Sequence, residues 1–399
     1  MKLLDIEVRN NVLASMMRIL EEDRAQILEA NQKDLEAFNR DDQALYDRLV
    51  ADEAKIDTMI KSVEEVWQQE DPVNKTKEER SLDNGLKIIN KTAPFGTIMI
   101  IYESRPDVTI EAAVLAFKAN NKILLKGGKE AKHSNKALVN CWHKALLENG
   151  LEKDWIQFLE MNREETQAFL REPDQDLDLI VPRGGERLIQ FVKEHAKCAV
   201  LVSGRGNNFA YLAEDVDIDK TLPVLINAKT DKISACNALD KILIDQRNPN
   251  FKETVTKIGE ALREKGVSLS ADETCAQILN DAQPISSESI WYEEFLAMKA
   301  VIAAVDHQAQ ATEWINKYSG GHSVSIFTEN QDKAKEFMDE IDAAAVYHNA
   351  STRFTDGGAM GVGAELAIST DKLHHRGPLG LAQLVTNKYY VFGDGQIRV

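Results

Sequence analysis

From Phe95 onward, apolar runs of strand length alternate with longer segments of helical period, and this rhythm limits the possible folds more than any other feature of the chain. Residues 97–102, 122–126, 156–159, 177–181 and 199–202 read as strands, with helices at 108–120, 132–147, 164–171 and 185–195 between them. Strands with a helix in each gap pair in parallel, because the helix returns the chain to the same end of the sheet, and the helices then cover both faces. A second series follows residue 236, with strands at 241–244, 267–269, 297–305, 323–327 and 343–347 and helices at 251–265, 308–318 and 332–341. The expected class is α/β, with two parallel-sheet domains.

The flanks differ in texture. Residues 4–68 carry apolar side chains at helical spacing with acidic residues between, which predicts three or four amphipathic helices. Asp71 and Pro72 end that pattern, and residues 81–93 contain the Asn84-Gly85 turn signal followed by a strand-like run, a candidate hairpin outside the main sheet. The tail reads as strand around 389–392 and again at 396–399, with Gly393-Asp394-Gly395 as the turn of a second hairpin. Exposed hairpins can pair between subunits by strand addition, so a small oligomerisation region and at least a dimer are expected. The domains are placed at 1–228 (cofactor-binding), 229–360 (carrying Cys236) and 361–399 (return segment and hairpin).

A formal net charge of -17 argues against nucleic-acid or anionic-membrane binding as the main activity, so any anionic ligand must meet a local basic pocket. The four cysteines lie far apart with no CxxC pair, which indicates neither a disulfide framework nor a structural metal and fits a reducing cytoplasm. His374 and His375 are adjacent but lack carboxylate or cysteine partners at ligand spacing, so no metal site is expected there either. Asp5, Glu7 and Arg9 interrupt the apolar N-terminus, and no run of 18 apolar residues occurs, so neither export nor a membrane span is expected.

Chemistry concentrates in a few loops. Cys236 lies between a helical segment and a strand-like run, flanked by Ser234 and Asn237 with Lys232 nearby, a setting that can stabilise a thiolate. The competing reading is a packed, inert thiol, since free cysteine is among the most buried residue types. Residues 126–130 (Lys126, Gly127, Gly128, Lys129, Glu130) end a parallel strand, where open α/β sheets bind ligands, and suit a nucleotide phosphate or ribose as well as an ordinary glycine turn. Residues 182–185 (Pro182, Arg183, Gly184, Gly185) lead from a strand into a helix whose bare N–H groups suit a pyrophosphate, although the GxGxxG fingerprint is absent. Arg353 and Arg376 sit in glycine-rich loops, where an arginine fork either recognises an acidic substrate or ties loops together. Arg105 and Asp107 follow the first strand, Asp107 being a helix-capping candidate as well as a cleft residue.

Together the segments 101–109, 125–131, 178–185, 227–230 with 234–237, 320–322, 349–358, 375–381 and 393–398 resemble the gamma-glutamyl phosphate reductases of the aldehyde dehydrogenase superfamily, and the likeness covers nearly the whole chain. It implies an aldehyde-dehydrogenase-like fold and reduction of L-glutamate 5-phosphate by NADPH to L-glutamate 5-semialdehyde and phosphate, the second step of proline biosynthesis from glutamate. Cys236 would form a thioester; Asp107 and Asn237 would position the substrate or its oxyanion; Arg105, Arg353 and Arg376 would hold the substrate anions. Residues 126–130 and 182–185 would hold NADPH or NADP. Association with glutamate 5-kinase fits a labile acyl phosphate. Two departures stand out. Many relatives carry Asn where this chain has Asp107, and an ionised Asp cannot donate to an oxyanion: it lies outside that role, is protonated, or a neighbour donates instead. Residues 203–208 depart from the Gly-Asn-Cys-His common in relatives, and no general base is assigned there. The rival readings are a hydrolytic or acyl-CoA-linked dehydrogenase using the same cysteine, and a non-catalytic scaffold for the kinase.

Overall fold

The computed structural model describes residues 2–39 and 43–398, and by its internal contacts the chain forms two units: 1–202 with 361–367 and 379–399, and 203–360 with 368–378. The first break lies at 202/203 rather than at the expected 228/229. The reason is a strand that the sequence reading missed: Asn208–Leu212 pairs within the second sheet and takes the following helix with it.

In the first unit the helices α1 (Ile6–Glu22), α2 (Arg24–Ala37), α3 (Gln43–Leu49) and α4 (Glu53–Gln68) come first. Asp5 and Asp52 cap α1 and α4 by accepting from the backbone N–H groups of Glu7 and Lys55. Val12, Leu13 and Met16 of α1 and Ile56, Met59 and Val63 of α4 are buried at the helical spacing seen in the sequence. Strands β1 (Thr76–Ser81) and β2 (Lys87–Pro94) form the predicted hairpin. The sheet proper follows through β3 (Thr97–Tyr102), α5 (Asp107–Lys118), β4 (Lys122–Lys126), α6 (Lys132–Glu148), β5 (Ile156–Phe158), α7 (Arg163–Arg171), β6 (Leu179–Arg183), α8 (Glu186–His195) and β7 (Ala199–Val200), in the parallel order β5-β4-β3-β6-β7. Every residue of β3 is buried, so it reads as continuous Thr-Ile-Met-Ile-Ile-Tyr rather than as an alternation, as a strand covered on both faces must. Each such aliphatic side chain contributes roughly 1.5–3 kcal/mol of burial, which makes β3 the axis of this unit.

The second unit runs through β8 (Asn208–Leu212), α9 (Ile218–Thr230), β9 (Leu239–Asp245), α10 (Phe251–Glu264), β10 (Ser268–Ala271), α11 (Glu273–Ala276), β11 (Gln283–Pro284), β12 (Lys299–Val305), α12 (Gln308–Tyr318), β13 (Ser323–Phe327), α13 (Gln331–Glu340) and β14 (Ala345–His348). Its sheet is parallel in the order β11-β10-β12-β9-β8-β13-β14. Strands β15 (Glu365–Ser369) and β16 (Gly377–Gly380) pair with each other, and β17 (Val385–Phe392) closes the chain.

The tail does not make a second hairpin. Strand β17 instead adds antiparallel to β2, from Val385 opposite Pro94 to Phe392 opposite Lys87, giving a three-stranded sheet β1-β2-β17. Residues 396–398 form no strand; the Gln396 carboxamide turns back to accept from the Asp394 N–H and so closes the glycine turn on itself.

Candidate active site

The nucleophile candidate sits in the loop 231–238 between α9 and β9, half-buried. It lies before β9 rather than after a strand, so this site is built on the amino edge of the second sheet. Three loops that enter strands β8, β9 and β13 meet there. Asn208, the first residue of β8 and fully buried, donates its carboxamide to the backbone carbonyls of Gly206 (2.8 Å), Cys236 (2.8 Å) and Ala238 (2.7 Å), while its own carbonyl accepts from the Ser323 N–H at 3.0 Å. A Cβ on Gly206 would fall inside the contact distance of the Cys236 carbonyl, and one on Gly320 inside that of the Arg205 carbonyl. Glycine is needed at both places because backbone lies against backbone.

The remaining thiols are suppressed. Burial and the neighbouring Asp23 carboxylate push Cys141 up to about 12. Burial likewise pushes Cys275 up, with Asp272 adding to it, and raises Cys198. A thiol that stays protonated is a poor nucleophile, so burial weighs against Cys141, Cys198 and Cys275.

The Asn237 side chain is hydrogen-bonded within the protein. Both protons of its carboxamide go to backbone carbonyls, those of Arg353 (3.2 Å) and Thr355 (2.9 Å), and its backbone carbonyl accepts from the Thr352 hydroxyl at 2.7 Å. With both carboxamide protons engaged, the side chain locks the nucleophile loop to residues 351–355. Arg353 is part of that lock: Nε and Nη2 donate to Asp231 at 3.1 and 3.0 Å, and Nη1 donates to the Asn237 side-chain oxygen Oδ1. Arg376 is bound in the same manner, donating to the Asp342 carboxylate (2.6 Å) and backbone carbonyl (3.2 Å). In this structure these two arginines tie loops together. Buried His322 adds rigidity through Nδ1 and the Ser323 hydroxyl (2.7 Å), which reaches Thr355 at 2.7 Å; burial lowers its pKa to about 4 and keeps it neutral.

In the first unit the expected ligand loops do lie at the carboxyl edge of the sheet, after β3, β4 and β6. The turn after β3 holds Ser104 in the left-handed region (φ 41), fixed by the Glu130 carboxylate, which accepts from the Ser104 N–H (2.7 Å) and hydroxyl (2.8 Å). Glu130 therefore braces this turn, and its carboxylate occupies the space a Gly128 side chain would need; Gly127 is crowded in the same way by the Asn135 amide. Lys126 donates to the Gly127 carbonyl at 2.8 Å and has its pKa lowered by burial, whereas Lys129 stands exposed. Pro182 is buried within β6 opposite Ile101, so it shapes the strand rather than meeting a ligand. A Cβ on Gly184 would lie 2.6 Å from Glu103 Oε2 and 2.7 Å from Leu188 and would displace those side-chain ends, while Gly185 opens on clear space at the start of α8, its N–H donating to Glu103 Oε2 at 3.4 Å. A helix N-terminus beside an open glycine, with Lys126 and Lys129 after β4, two strands away in the sheet, is an arrangement that could hold the phosphates of a dinucleotide once the Glu103 carboxylate is displaced.

Asp107 opens α5 rather than preceding it and is held by two cations, Lys55 Nζ at 2.8 Å and Arg105 Nη2 at 3.2 Å. Burial alone would raise its pKa, but Arg105 and Lys55 outweigh that and bring it down to about 2. The two cations favour the ionised, hydrogen-bond-accepting form of Asp107 near neutral pH. One helical turn on, burial and the Asp107 charge raise the pKa of Glu111, against which Arg183 and Arg105 act. Arg183 thus belongs to this buried charge cluster, with Glu365 as a further opposing charge.

The Asp107 pair is also a stability statement. The folded pKa lies below the ordinary value of about 3.9, so the contribution is present above that pH and is lost as pH falls through about 2. Asp107→Asn is expected to lose about 2 kcal/mol at pH 7 in urea unfolding, the gap to wild type closing between pH ~4 and ~2. A gap that persists at pH ~2 would assign the loss to packing instead.

The elements above match known proteins along the chain. The model of the aldehyde dehydrogenase family matches residues 1–276 and 277–364. A gamma-glutamyl phosphate reductase 2 of Bacillus licheniformis is 41% identical over 392 residues, covering 98% of this chain and 92% of that protein. The gamma-glutamyl phosphate reductase of Thermotoga maritima is 42% identical over 392 residues, covering 98% and 94%. A crystal structure of the Thermotoga maritima enzyme superposes with a TM-score of 0.94 over 99% of this chain and 95% of that one. An acetylating aldehyde dehydrogenase of Geobacillus thermoglucosidasius shares the fold at 17% identity and a TM-score of 0.67, over 99% and 94% of the two chains. With its helical N-terminus, two parallel sheets and cysteine loop, this chain belongs to the aldehyde dehydrogenase family, and within it to the gamma-glutamyl phosphate reductases.

Proposed function

We propose that this protein reduces L-glutamate 5-phosphate to L-glutamate 5-semialdehyde with release of phosphate, the second step of proline biosynthesis from glutamate, with NADPH as reductant. The observation that carries the reading is the clamped cysteine loop, in which Asn208 and Thr352 hold the backbone carbonyls of Cys236 and Asn237 in a chain that resembles reductases of this substrate at about two-fifths identity over nearly its full length. Cys236 Sγ attacks the acyl carbon; the C–S bond forms, the bond from that carbon to the phosphoryl-bearing oxygen breaks, and phosphate leaves with the electron pair. The resulting thioester is a better hydride acceptor than a carboxylate. A bound nicotinamide would supply the hydride; Cys236 Sγ then leaves the former acyl carbon with the C–S electron pair, which releases the aldehyde and restores the thiolate. Because the route is reductive, no base to activate water is required, which agrees with the departure at residues 203–208.

Gly184 and Gly185 at the head of α8 would face the pyrophosphate, and Lys126 and Lys129 the adenosine ribose and its 2′-phosphate. Lys129→Ala is expected to weaken NADPH binding by roughly tenfold while NADH binding barely changes, as read by equilibrium fluorescence titration. Equal losses for both cofactors would remove Lys129 from the 2′-phosphate.

The apolar side chains of β17, among them exposed Tyr389, Val391 and Phe392, support a homo-oligomer joined at this strand, at least a dimer. A protomer mass in light scattering at micromolar concentration would sink that. No helix among the described residues is long and apolar enough to cross a membrane, and we place the enzyme in the reducing cytoplasm, where it would receive its labile substrate from glutamate 5-kinase by direct association. Absence of co-sedimentation with the kinase would argue against that association.

The test of the activity runs it backwards: NADP reduction by the semialdehyde with and without inorganic phosphate. Strict phosphate dependence is expected. Turnover without phosphate would establish the hydrolytic dehydrogenase, and turnover with coenzyme A in its place the acyl-CoA-linked one.

A further inference from the structure

Lys241, the third residue of β9, is fully buried on the strand that begins just after the nucleophile loop. Its Nζ donates to the Asn207 side-chain oxygen and to the Glu293 backbone carbonyl, both at 2.7 Å. Asn207 in turn donates to the carbonyls of Trp291 (2.6 Å) and Tyr318 (2.9 Å), and the Phe295 N–H donates to Asp240 Oδ2 at 2.9 Å. Residues 291, 293 and 295 are thus fastened, at every second position, to Asn207, Lys241 and Asp240. Asn208, the next residue after Asn207, holds the carbonyls of Cys236 and Ala238, so the nucleophile loop and the segment 291–295 hang on one pair of strands, β8 and β9.

The charges that face Lys241 do not balance. Lys229 of α9 takes Asp240 Oδ1 at 2.8 Å, a pair buried like Lys241 itself, while Glu293 lies 3.9 Å from Lys299 of β12 on the more exposed side. Two carboxylates therefore meet three lysines, and among the described residues Lys241 makes no ion pair of its own. A neutral amine has two N–H donors, enough for the oxygens of Asn207 and Glu293. The third N–H of an ammonium is left the Phe295 ring, whose centroid lies 3.8 Å from Nζ and which Lys299 (4.4 Å) and Lys229 (5.9 Å) also approach. A lysine buried without its own carboxylate favours the neutral form. Burial pushes the Lys241 amine down to about 7, with Lys229 and Lys299 acting in the same direction and Asp240 and Glu293 against it.

We propose that Lys241 is a positioning residue for Cys236 that works as the neutral amine, joining the segment 291–295 to Asn207 and so to the Asn208 clamp, and that taking up a proton releases both the segment and the nucleophile loop. Once opened to water, the amine regains the ordinary lysine value of about 10.4. The closed form then binds its proton less tightly than the open form, so acid favours opening, and closure strengthens as pH rises above about 7, by up to about tenfold per pH unit. The inference rests on the reading of Cys236 as the nucleophile.

Hydrogen–deuterium exchange of the whole protein between pH ~6 and ~9, read by mass spectrometry on peptides covering 291–295 and 232–238, measures the opening without substrate. In wild type the protection factors of both segments are expected to stay level up to about pH 7 and then to rise, approaching tenfold per pH unit. Lys241→Met, of similar length and with no proton to gain, is expected to be level throughout. Lys241→Gln, which keeps a donor for Asn207, should behave likewise and serves if the methionine variant fails to fold. A level wild-type profile overturns the proposal, as does a slope that survives in either variant or one confined to 291–295. Failure of the functional reading shows separately, as wild-type protein without phosphate-dependent turnover.

Discussion

Cys236→Ser is expected to abolish semialdehyde oxidation, lowering kcat by more than about 10³-fold with the phosphate dependence lost and the affinity for NADP intact. The size follows from the nucleophile. A serine hydroxyl of the same reach stays protonated at neutral pH, and no histidine base is assigned beside it to take its proton. Replacement by another thiol of the chain is blocked, because Cys141, Cys198 and Cys275 are all raised in pKa, each chiefly by burial. The cofactor-binding control matters here: the residues proposed to hold NADP lie in the other unit of the chain, so the variant should titrate with it normally. Activity within tenfold of wild type would reject the thioester route, whatever the likeness to reductases.

The second large effect comes from a residue with no functional group. Gly206→Ala is expected to lower kcat/KM by roughly 10²-fold or more, since a new methyl group must push either the Cys236 carbonyl or its own loop aside, and a displacement of about 1 Å at the reacting atom costs that much. Backbone on both sides leaves no flexible side chain to yield. Overpacking of this kind also destabilises by about 1–3 kcal/mol, so the thermal midpoint should fall as well. Two measurements keep the prediction sharp: the rate of Cys236 alkylation by iodoacetamide should change, while NADP affinity should not. Wild-type kinetics in Gly206→Ala would show that the loop relaxes freely, and the clamp made by Asn208 would lose its assigned role.

Much of this molecule is legible in one dimension because burial leaves a periodic trace. Strand β3 must be apolar at every position and α1 and α4 at every third or fourth, and those requirements appear in the residues themselves. Cys236 and the glycines 184 and 185 stand out for a related reason: a cysteine on a loop and glycines at a helix start are local arrangements, complete within a few residues. Strand β8 escaped because it is five residues long and follows a Gly-Arg-Gly-Asn run that reads as loop, although it lies buried in the middle of the second sheet.

Only the tertiary structure decided what the charged side chains do. Arg353 finds Asp231, Arg376 finds Asp342 and Lys55 finds Asp107, pairings between residues far apart in sequence that impose no spacing on either partner. The same holds for Asn208, whose carboxamide is defined by the three carbonyls around it and not by its neighbours in the chain. The sequence by itself determined the fold class and family, because apolar burial and loop motifs are written locally. The fold decided which arginines are bound to carboxylates, that Asp107 is charged, and how Cys236 is held, because hydrogen bonds and ion pairs depend on distances that only the folded chain sets.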